Sequence, residues 1–156
     1  MYSIKEAIVS DASFLTQIAL KSKSVWGYPQ QWLDLWRDEL TIDESYINNN
    51  HVYCVVNDDN VIGFYALVNK DENVIELDHF WLLPDYTGMG FGRKMLAHAK
   101  MNCNRMGFER IMLVSDPNAV DFYLHMGGEI IDYREYLFQK DIRRLPIILF
   151  SIKSNN

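Results

Sequence analysis

The sequence predicts a single α/β domain of the α+β kind, in which helices flank a mixed, mostly antiparallel central sheet. Three observations predict this fold class. Runs of β-branched and aromatic residues in the middle of the chain are joined by short polar turns, as in antiparallel hairpins. A strand–helix–strand crossover carrying a glycine-rich turn follows these hairpins. Finally, 156 residues that are 49% hydrophobic suit one core, so we assign residues 1–156 to one domain.

The N-terminal part of the chain is predicted to hold one strand and three helices. Tyr2–Ala7 alternates between apolar and polar residues and predicts the strand. Ser10 and Asp11 can cap a first helix, whose apolar face consists of Phe14, Leu15, Ile18 and Ala19. A second helix is predicted over Pro29–Leu40, with an apolar face of Trp32, Leu35, Trp36 and Leu40. A short third helix is predicted over Ile42–Ile47.

The rest of the chain is predicted to hold most of the strands. The polar turn from Asn57 to Asn60 is a strong hairpin signal between two strand-like runs. Strands are predicted over His51–Val56, Val61–Val68, Val74–Leu83, Arg110–Val114, Glu129–Phe138 and Pro146–Ile152. Helices are predicted over Gly90–Met106 and Ala119–Met126.

The composition excludes several classes of function. The chain carries 15 Lys+Arg against 21 Asp+Glu, a net charge of −6, which argues against a nucleic-acid binder. It shows no secretory signal at its start and no apolar run that could span a membrane, so we expect a soluble, cytoplasmic protein without a membrane partner. Its two cysteines, Cys54 and Cys103, are predicted to be buried. The histidines have no metal-ligand spacing, so no metal is predicted.

The turn from Thr87 to Gly92 contains three alternating glycines between a strand and a helix. Amides at such a helix start can hold a pyrophosphate, which would also suit the nearby side chains of Arg93 and Lys94. A P-loop is nearly excluded because no Gly-Lys-Ser/Thr follows. A dinucleotide-binding unit has the right order of elements but a different glycine spacing. These glycines alone leave a plain tight turn, a dinucleotide site and another phosphate site open.

The residues around this turn carry a family resemblance. Leu77–Leu96 resembles the acetyl-CoA-binding motif of the GNAT superfamily of N-acyltransferases, with Thr87 in place of the usual Arg or Gln. Asp116–Gly127 is similar to the second signature of that family, which ends in Phe-Tyr-x-x-x-Gly. Arg144-Leu145-Pro146 is similar to a further element of some members, and the order of elements fits the whole chain.

The resemblance implies an N-acetyltransferase that moves an acetyl group directly from acetyl-CoA to a primary amine. It implies that the Leu82 N–H stabilises the oxyanion of the tetrahedral intermediate, as an oxyanion hole does. The cofactor-binding residues that it implies are Leu82, Leu83, Thr87, Gly88, Met89, Gly90, Phe91, Gly92, Arg93, Lys94 and Asn118. A non-catalytic acyl-CoA-binding or sensing module of the same fold is the alternative function.

Two residues are the candidates for proton transfer. Tyr123 matches the tyrosine of the second signature, and its phenol could protonate the leaving thiolate. Glu76 lies on the strand before the glycine turn, where some members have a basic glutamate. Asp78 shares the face of Glu76 by strand alternation, whereas His79 is expected to point the other way unless a bulge shifts the register. The competing interpretation of Tyr123 is a tyrosine packed in the core. For Glu76, Asp78 and His79 it is a solvated strand end with charge-paired side chains.

The stretch Ser22–Pro29 links the first two helices. The resemblance implies that these helices border the acceptor groove. We therefore assign Trp26, Tyr28 and Asp78 to substrate binding, with packing against the core as the alternative for the two aromatic residues. The expected acceptor is a small-molecule or peptide amine, for which the acidic charge of the protein is suitable. The sequence leaves the acceptor and the choice between monomer and homodimer open.

Overall fold

The computed structural model describes residues 1–152, and these divide into two compact units. The first unit comprises Met1–Val68 and His79–Ala99, and the second comprises Asn69–Asp78 and the chain from Lys100 onward. Strand β4, Val74–Leu82, contributes its last residues to the first unit and its first residues to the second. The mixed α/β composition and the strand–helix–strand crossover confirm the predicted fold class.

The first unit contains three further strands: the N-terminal strand and the two strands of the predicted hairpin. They are β1 Tyr2–Glu6, β2 His51–Asn57 and β3 Asn60–Asn69. β1 pairs with β2, and β2 with β3, in antiparallel fashion, and the strand order is β1-β2-β3 followed by β4. The two turn residues Asp58 and Asp59 both have positive φ, as the tight hairpin turn requires.

The second unit continues from β4 in the order β5-β7-β6. Its strands are β5 Arg110–Val114, β6 Glu129–Phe138 and β7 Asp141–Ser151. β4 and β5 pair in parallel over three residues each, whereas β5–β7 and β7–β6 are antiparallel. β7 begins five residues before the predicted Pro146, because Gln139 and Lys140 close a tight turn with positive φ.

The helices are α1 Ala12–Ser24, α2 Gln30–Leu35, α3 Arg37–Leu40, α4 Glu44–Asn49, α5 Phe91–Arg105 and α6 Val120–His125. The predicted second helix is therefore broken at Trp36 into α2 and α3. Leu33 is buried there and Leu35 is exposed, which corrects the predicted apolar face. Phe14 is also exposed, so the buried face of α1 is formed by Leu15, Ile18, Ala19 and Ser22. No helix among residues 1–152 is both long and apolar enough to span a membrane.

Both cysteines lie in the core, as predicted. Cys54 on β2 and Cys103 on α5 have no exposed surface. Burial is the main cause that raises the pKa of each thiol to about 12, and the Asp11 carboxylate adds to the effect at Cys54. Since the thiolate is the reactive form of cysteine, neither residue is suited to act as a nucleophile.

Candidate active site

The glycine turn leads into the first turn of α5. Gly88 and Gly90 have φ of +77° and +88°, a backbone region that residues with a side chain rarely adopt. The first helical hydrogen bond of α5 runs from the Lys94 N–H to the Gly90 carbonyl at 3.3 Å. The amides of Phe91 and Gly92 precede that bond and have no helical carbonyl to donate to. They lie at the positive end of the helix dipole, where an anion is stabilised.

The start of α5 is anchored by Phe91. Its ring is buried in a cluster with Val55, Ile62 and Met95, and it contacts the ring of Tyr86 edge-on at 6.1 Å. Because the buried Phe91 ring holds the start of α5 against the sheet, the amides of Phe91 and Gly92 have a fixed direction. The turn before it is also closed, since the Thr87 hydroxyl donates to the Pro84 carbonyl at 2.8 Å.

The two basic side chains of this turn differ in their surroundings. The Lys94 ammonium lies 4.3 Å from the centre of the Tyr2 ring and 5.6 Å from that of Phe91, a cation–π arrangement. Arg93 is exposed. The roles of both side chains in cofactor binding stay predictions.

The end of β4 presents the candidate thioester edge. The Leu83 N–H donates to the Ile62 carbonyl on β3 at 2.8 Å, and the Leu83 carbonyl accepts from the Tyr86 N–H at 2.9 Å. Because successive residues of a strand direct their amides to opposite edges, the Leu82 N–H points away from β3. The Leu82 carbonyl accepts from the buried Ser22 hydroxyl of α1 at 3.0 Å, which holds this residue in place. The role of Leu82 as an oxyanion donor stays a prediction.

The opposite face of β4 carries a hydrogen-bonded His–Trp pair that the sequence did not reveal. The Trp81 indole N–H donates to Nδ1 of His79 at 2.9 Å, so the neutral imidazole carries its proton on Nε2. His79 is buried, with the rings of Tyr46 and Phe64 at 5.6 and 5.8 Å. Since its Nδ1 lone pair is already used, His79 is poorly suited to act as a base.

The aromatic residues of the loop before α2 have different neighbours. The Trp26 ring lies 5.9 Å from that of Trp81, next to Leu82 in the chain. Tyr28 packs edge-on against Trp36 at 4.9 Å, and the Lys23 ammonium lies 4.3 Å above the Trp36 ring. Trp26 is thereby placed beside the end of β4, whereas Tyr28 belongs to a local aromatic cluster. Their assignment to substrate binding stays a prediction.

In the second unit, the two acidic residues of β4 lie on one face, as alternation predicts. The alternate residues Ile75 and Leu77 are buried, whereas Asp78 is exposed and Glu76 is partly buried. The Glu76 carboxylate forms an ion pair with the Lys70 ammonium at 3.3 Å. This ion pair is what the alternative interpretation of Glu76, a charge-paired side chain at the strand end, predicts. The role of Glu76 as a base stays a prediction.

Tyr123 lies on α6 and is buried against the ring of Phe150 at 6.4 Å. Burial, and to a smaller extent the Asp116 carboxylate, raises the pKa of its phenol. Asp116 also accepts hydrogen bonds from the backbone N–H and the side-chain amide of Asn118, both at 2.9 Å. The phenol is therefore held in its protonated form, which is the form that a general acid needs.

The comparisons with known proteins identify the family. The model of the acetyltransferase (GNAT) family matches residues 15–127, which is more than half of the chain. The chain belongs to the GNAT family. It is thus an acyltransferase, and the matched segment includes the glycine turn, Glu76 and Tyr123. No curated protein matches the chain significantly in sequence.

Solved GNAT structures share the whole fold with this GNAT chain. The PaiA N-acetyltransferase of Thermoplasma acidophilum, in complex with coenzyme A, has a TM-score of 0.81 at 18% identity, over 97% of this chain and 99% of that chain. The ribosomal-protein-S18-alanine N-acetyltransferase of Escherichia coli has a TM-score of 0.73 at 16% identity, over 100% and 97%. A GNAT family acetyltransferase of Elizabethkingia anophelis with bound acetyl-CoA has a TM-score of 0.70 at 12% identity, over 96% and 97%. At these identities the likeness shows the fold.

The structure adds three residues to the candidate site of this GNAT protein. Ser22 binds the Leu82 carbonyl, Trp81 binds His79, and Lys70 pairs with Glu76. The sequence contained no local signal for the first of these contacts, because its two residues are 60 positions apart. Within residues 1–152 no group of His, Cys, Asp and Glu side chains could hold a metal ion.

Proposed function

We propose that this protein is an acetyl-CoA-dependent N-acetyltransferase that modifies a primary amine of a small molecule or peptide, with its residues acting as one domain. The observation that carries the proposal is the glycine turn before α5, where Gly88 and Gly90 expose backbone amides at a helix start. This arrangement suits the pyrophosphate of coenzyme A. The family match and the coenzyme A complex of the Thermoplasma neighbour support the same cosubstrate.

In the proposed reaction the amine nitrogen attacks the thioester carbonyl carbon, and the C–S bond breaks as the amide forms. The Leu82 N–H stabilises the oxyanion, in keeping with its direction away from β3. Tyr123 donates a proton to the departing sulfur, and Glu76 is the proposed acceptor of the proton that leaves the amine. Asp78, on the face of Glu76, is proposed to bind the acceptor's positive charge.

Direct transfer is favoured over an acyl-enzyme intermediate by the state of the cysteines. Cys54 and Cys103 are fully buried, and the pKa of each is raised to about 12. A thiol that is both inaccessible and protonated cannot accept the acetyl group from the cosubstrate. The amine is thus the proposed first and only acceptor.

Acetyl-CoA is expected to raise the melting temperature, whereas NAD and ATP at the same concentration are not. A ligand at one hundred times its Kd stabilises a protein by about 2.7 kcal/mol. For a chain of this size that corresponds to a shift of roughly 5–10 °C. Differential scanning fluorimetry measures the shift, and a larger shift with NAD would contradict the proposal.

A pair of glycine variants tests whether this stabilisation depends on the turn. Gly90→Val and Gly107→Val change residues at opposite ends of α5 that have nearly the same φ, +88° and +89°, and open space around the missing side chain. Both variants should lose stability because valine is strained at positive φ. Only Gly90→Val should also lose the shift with acetyl-CoA. Equal shifts in the two variants would move the cofactor site away from this turn.

Trp26→Ala is expected to raise the KM for the acceptor amine about tenfold and to leave the Kd for acetyl-CoA nearly unchanged. The reason is that Trp26 lies against Trp81 at the end of β4, where its large apolar surface can contact an acceptor. Trp32→Ala is the matched control, because Trp32 packs with Tyr28 and Trp36. An amine panel with free coenzyme A as the readout supplies the acceptor for this measurement. Equal KM values for the acceptor in the two variants would indicate that Trp26 only packs against the protein and does not bind the acceptor.

A further inference from the structure

An open pocket of about 420 Å³, the β1–β2 pocket, lies in the first unit. It is lined by residues of segments 6–9 and 47–53, so it lies where β1 ends and where α4 leads into β2. A strand rises about 3.3 Å per residue, which places Glu6 roughly 13 Å along β1 from Tyr2. Tyr2 contacts the ring of Phe91 at the start of α5, with ring centres 6.2 Å apart. The pocket is therefore a different site from the glycine turn.

One wall of the β1–β2 pocket is rich in hydrogen-bond acceptors. The Glu6 carboxylate is exposed, and among the described residues it has no ion-pair or side-chain hydrogen-bond partner. Asn48 and Asn50 add carboxamide groups, and the Asn50 side-chain N–H donates to the Tyr46 carbonyl at 3.1 Å, which leaves its oxygen as an acceptor. The last carbonyls of a helix lack partners within the helix, and α4 ends here without a basic residue in its last turn. This wall favours a positively charged ligand with several donors.

The described residues that line the β1–β2 pocket include no lysine or arginine. The neighbouring Lys5 points to the face of β1 opposite Glu6 by strand alternation. Burial and the Asp11 carboxylate raise the pKa of the Cys54 thiol, and the Lys5 ammonium counteracts part of this rise. Lys5 is therefore directed towards Cys54, and the positive charge that suits Glu6 has to come from a ligand.

The other wall of the β1–β2 pocket is apolar. Ile8 and Val9 are 63% and 39% exposed, and Ile47 continues their surface from α4. Exposed aliphatic side chains lose contact with water when an apolar group of a ligand covers them, which favours binding. A ligand that suits both walls therefore joins a cationic head to a short alkyl chain.

Hydrogen bonds and packing hold these walls in place. The Ile8 N–H donates to the Asp11 carboxylate at 2.9 Å, which fixes the turn that follows β1. Tyr53 on β2 is buried and stacks on the ring of Tyr65 on β3, with ring centres 5.3 Å apart. Because the pocket is formed without a ligand, binding requires little ordering of the chain.

We propose that the β1–β2 pocket binds a small alkylguanidinium compound. The planar guanidinium group has five N–H donors and pairs with a carboxylate, here that of Glu6, through two parallel hydrogen bonds. Its remaining donors face the carboxamide oxygens of Asn48 and Asn50, and its alkyl chain lies on Ile8 and Val9. An ammonium group has its three donors on one atom, so it suits acceptors that are spread along a wall less well. This binding site does not depend on the proposed acetyl transfer.

Butylguanidinium and butylurea are the probes, because they share their shape and alkyl chain but only the first is charged. Neither carries the primary alkylamine that the proposed reaction requires. In an NMR titration of the isotope-labelled protein, butylguanidinium should shift the amide resonances of segments 6–9 and 47–53 most. Its affinity should exceed that of butylurea about tenfold or more, since the urea cannot form a charge-assisted pair. No saturable binding at millimolar concentration, equal affinities of the two probes, or shifts confined to other segments would overturn the proposal.

Glu6→Gln should weaken the binding of butylguanidinium about tenfold or more, because it removes the charge that pairs with the guanidinium group. Glu39→Gln is the matched control, since it makes the same change at an exposed residue of α3 and should leave the affinity unchanged. Ile8→Ser should weaken binding several-fold through the loss of its contact with the alkyl chain. Equal affinities of Glu6→Gln and Glu39→Gln would show that the ligand does not pair with Glu6 and would overturn the proposal.

Asp78→Asn distinguishes the β1–β2 pocket from the proposed acceptor site, where a cation could also bind. Butylguanidinium should bind Asp78→Asn as tightly as the wild-type chain, and an affinity that is lost there but kept in Glu6→Gln would overturn the proposal. The melting shift with acetyl-CoA should be the same in Glu6→Gln as in the wild-type chain, which shows that the variant is folded. A wild-type chain that binds butylguanidinium but not acetyl-CoA would contradict the proposed function and support this pocket.

Discussion

Tyr123→Phe is expected to lower kcat by about tenfold or more while the Kd for acetyl-CoA changes little. The substitution removes only the phenol oxygen and retains the ring that packs against Phe150. A general acid that protonates the leaving thiolate acts in the transition state, so its loss appears in kcat. Steady-state kinetics with the acceptor found in the amine panel measures the effect. Unchanged kcat would assign Tyr123 to the core.

The matched control is Tyr65→Phe. Tyr65 is fully buried, and its hydroxyl is hydrogen-bonded to Nδ1 of His98 at 2.7 Å. Its substitution should cost about 1 kcal/mol of stability for the lost hydrogen bond and leave kcat unaffected. A decrease in kcat that both variants share would indicate a general effect of losing a buried hydroxyl.

The pH dependence provides a second test of the same role. Burial and the Asp116 carboxylate raise the pKa of the Tyr123 phenol above its ordinary value of about 10. The Tyr123 phenol therefore stays protonated above neutral pH. Its ionisation should cause no decrease in kcat between about pH 7 and 9. Any alkaline decline in that range should persist in Tyr123→Phe, because it then belongs to another group.

Gly63→Ala is expected to have the largest effect on stability, about 2 kcal/mol or more, or roughly 4–8 °C in Tm. A Cβ atom at Gly63 on β3 would lie 2.5 Å from the Trp81 carbonyl oxygen and 3.3 Å from the Leu82 Cα. These are backbone atoms of β4, so a side-chain rotation cannot relieve the clash. Thermal unfolding measures the loss.

The same substitution should also reduce catalysis in the molecules that remain folded. The clash displaces Leu82, whose N–H is the proposed oxyanion donor, and a misplaced donor stabilises the transition state less. Gly27→Ala is the control, because Gly27 has a φ of +80° but open space around its missing side chain. It should cost only about 1 kcal/mol of backbone strain. Similar losses in both variants would contradict the steric argument at Gly63.

The elements with strong local signals could be predicted from the sequence. The hairpin turn from Asn57 to Asn60 and the glycine turn before α5 both have the residues that their backbone angles require. The break of the second helix at Trp36 has no glycine or proline to mark it. The turn at Gln139 and Lys140 has positive φ without the usual glycine, which is why the start of β7 was predicted too late.

The sequence predicts residues for the candidate site, whereas the contacts of those residues could be predicted only in part. Family motifs pointed to Tyr123 and Leu82 because those residues lie within continuous signatures. The Ser22–Leu82 hydrogen bond and the Trp81–His79 pair depend on how the chain folds over β4. Alternation along β4 correctly separated His79 from Glu76, because this rule depends only on strand geometry.

The burial of Cys54 and Cys103 has a practical consequence for the assay on which several of these measurements depend. A chromogenic disulfide reagent that reports released coenzyme A also reacts with accessible protein thiolates. Both protein thiols are inaccessible and have a raised pKa of about 12. The reagent should therefore leave the folded enzyme unlabelled, so turnover can be followed continuously with a negligible protein blank. A slow rise in absorbance without an acceptor would then report unfolding or hydrolysis of the thioester, and a blank run without acetyl-CoA separates the two.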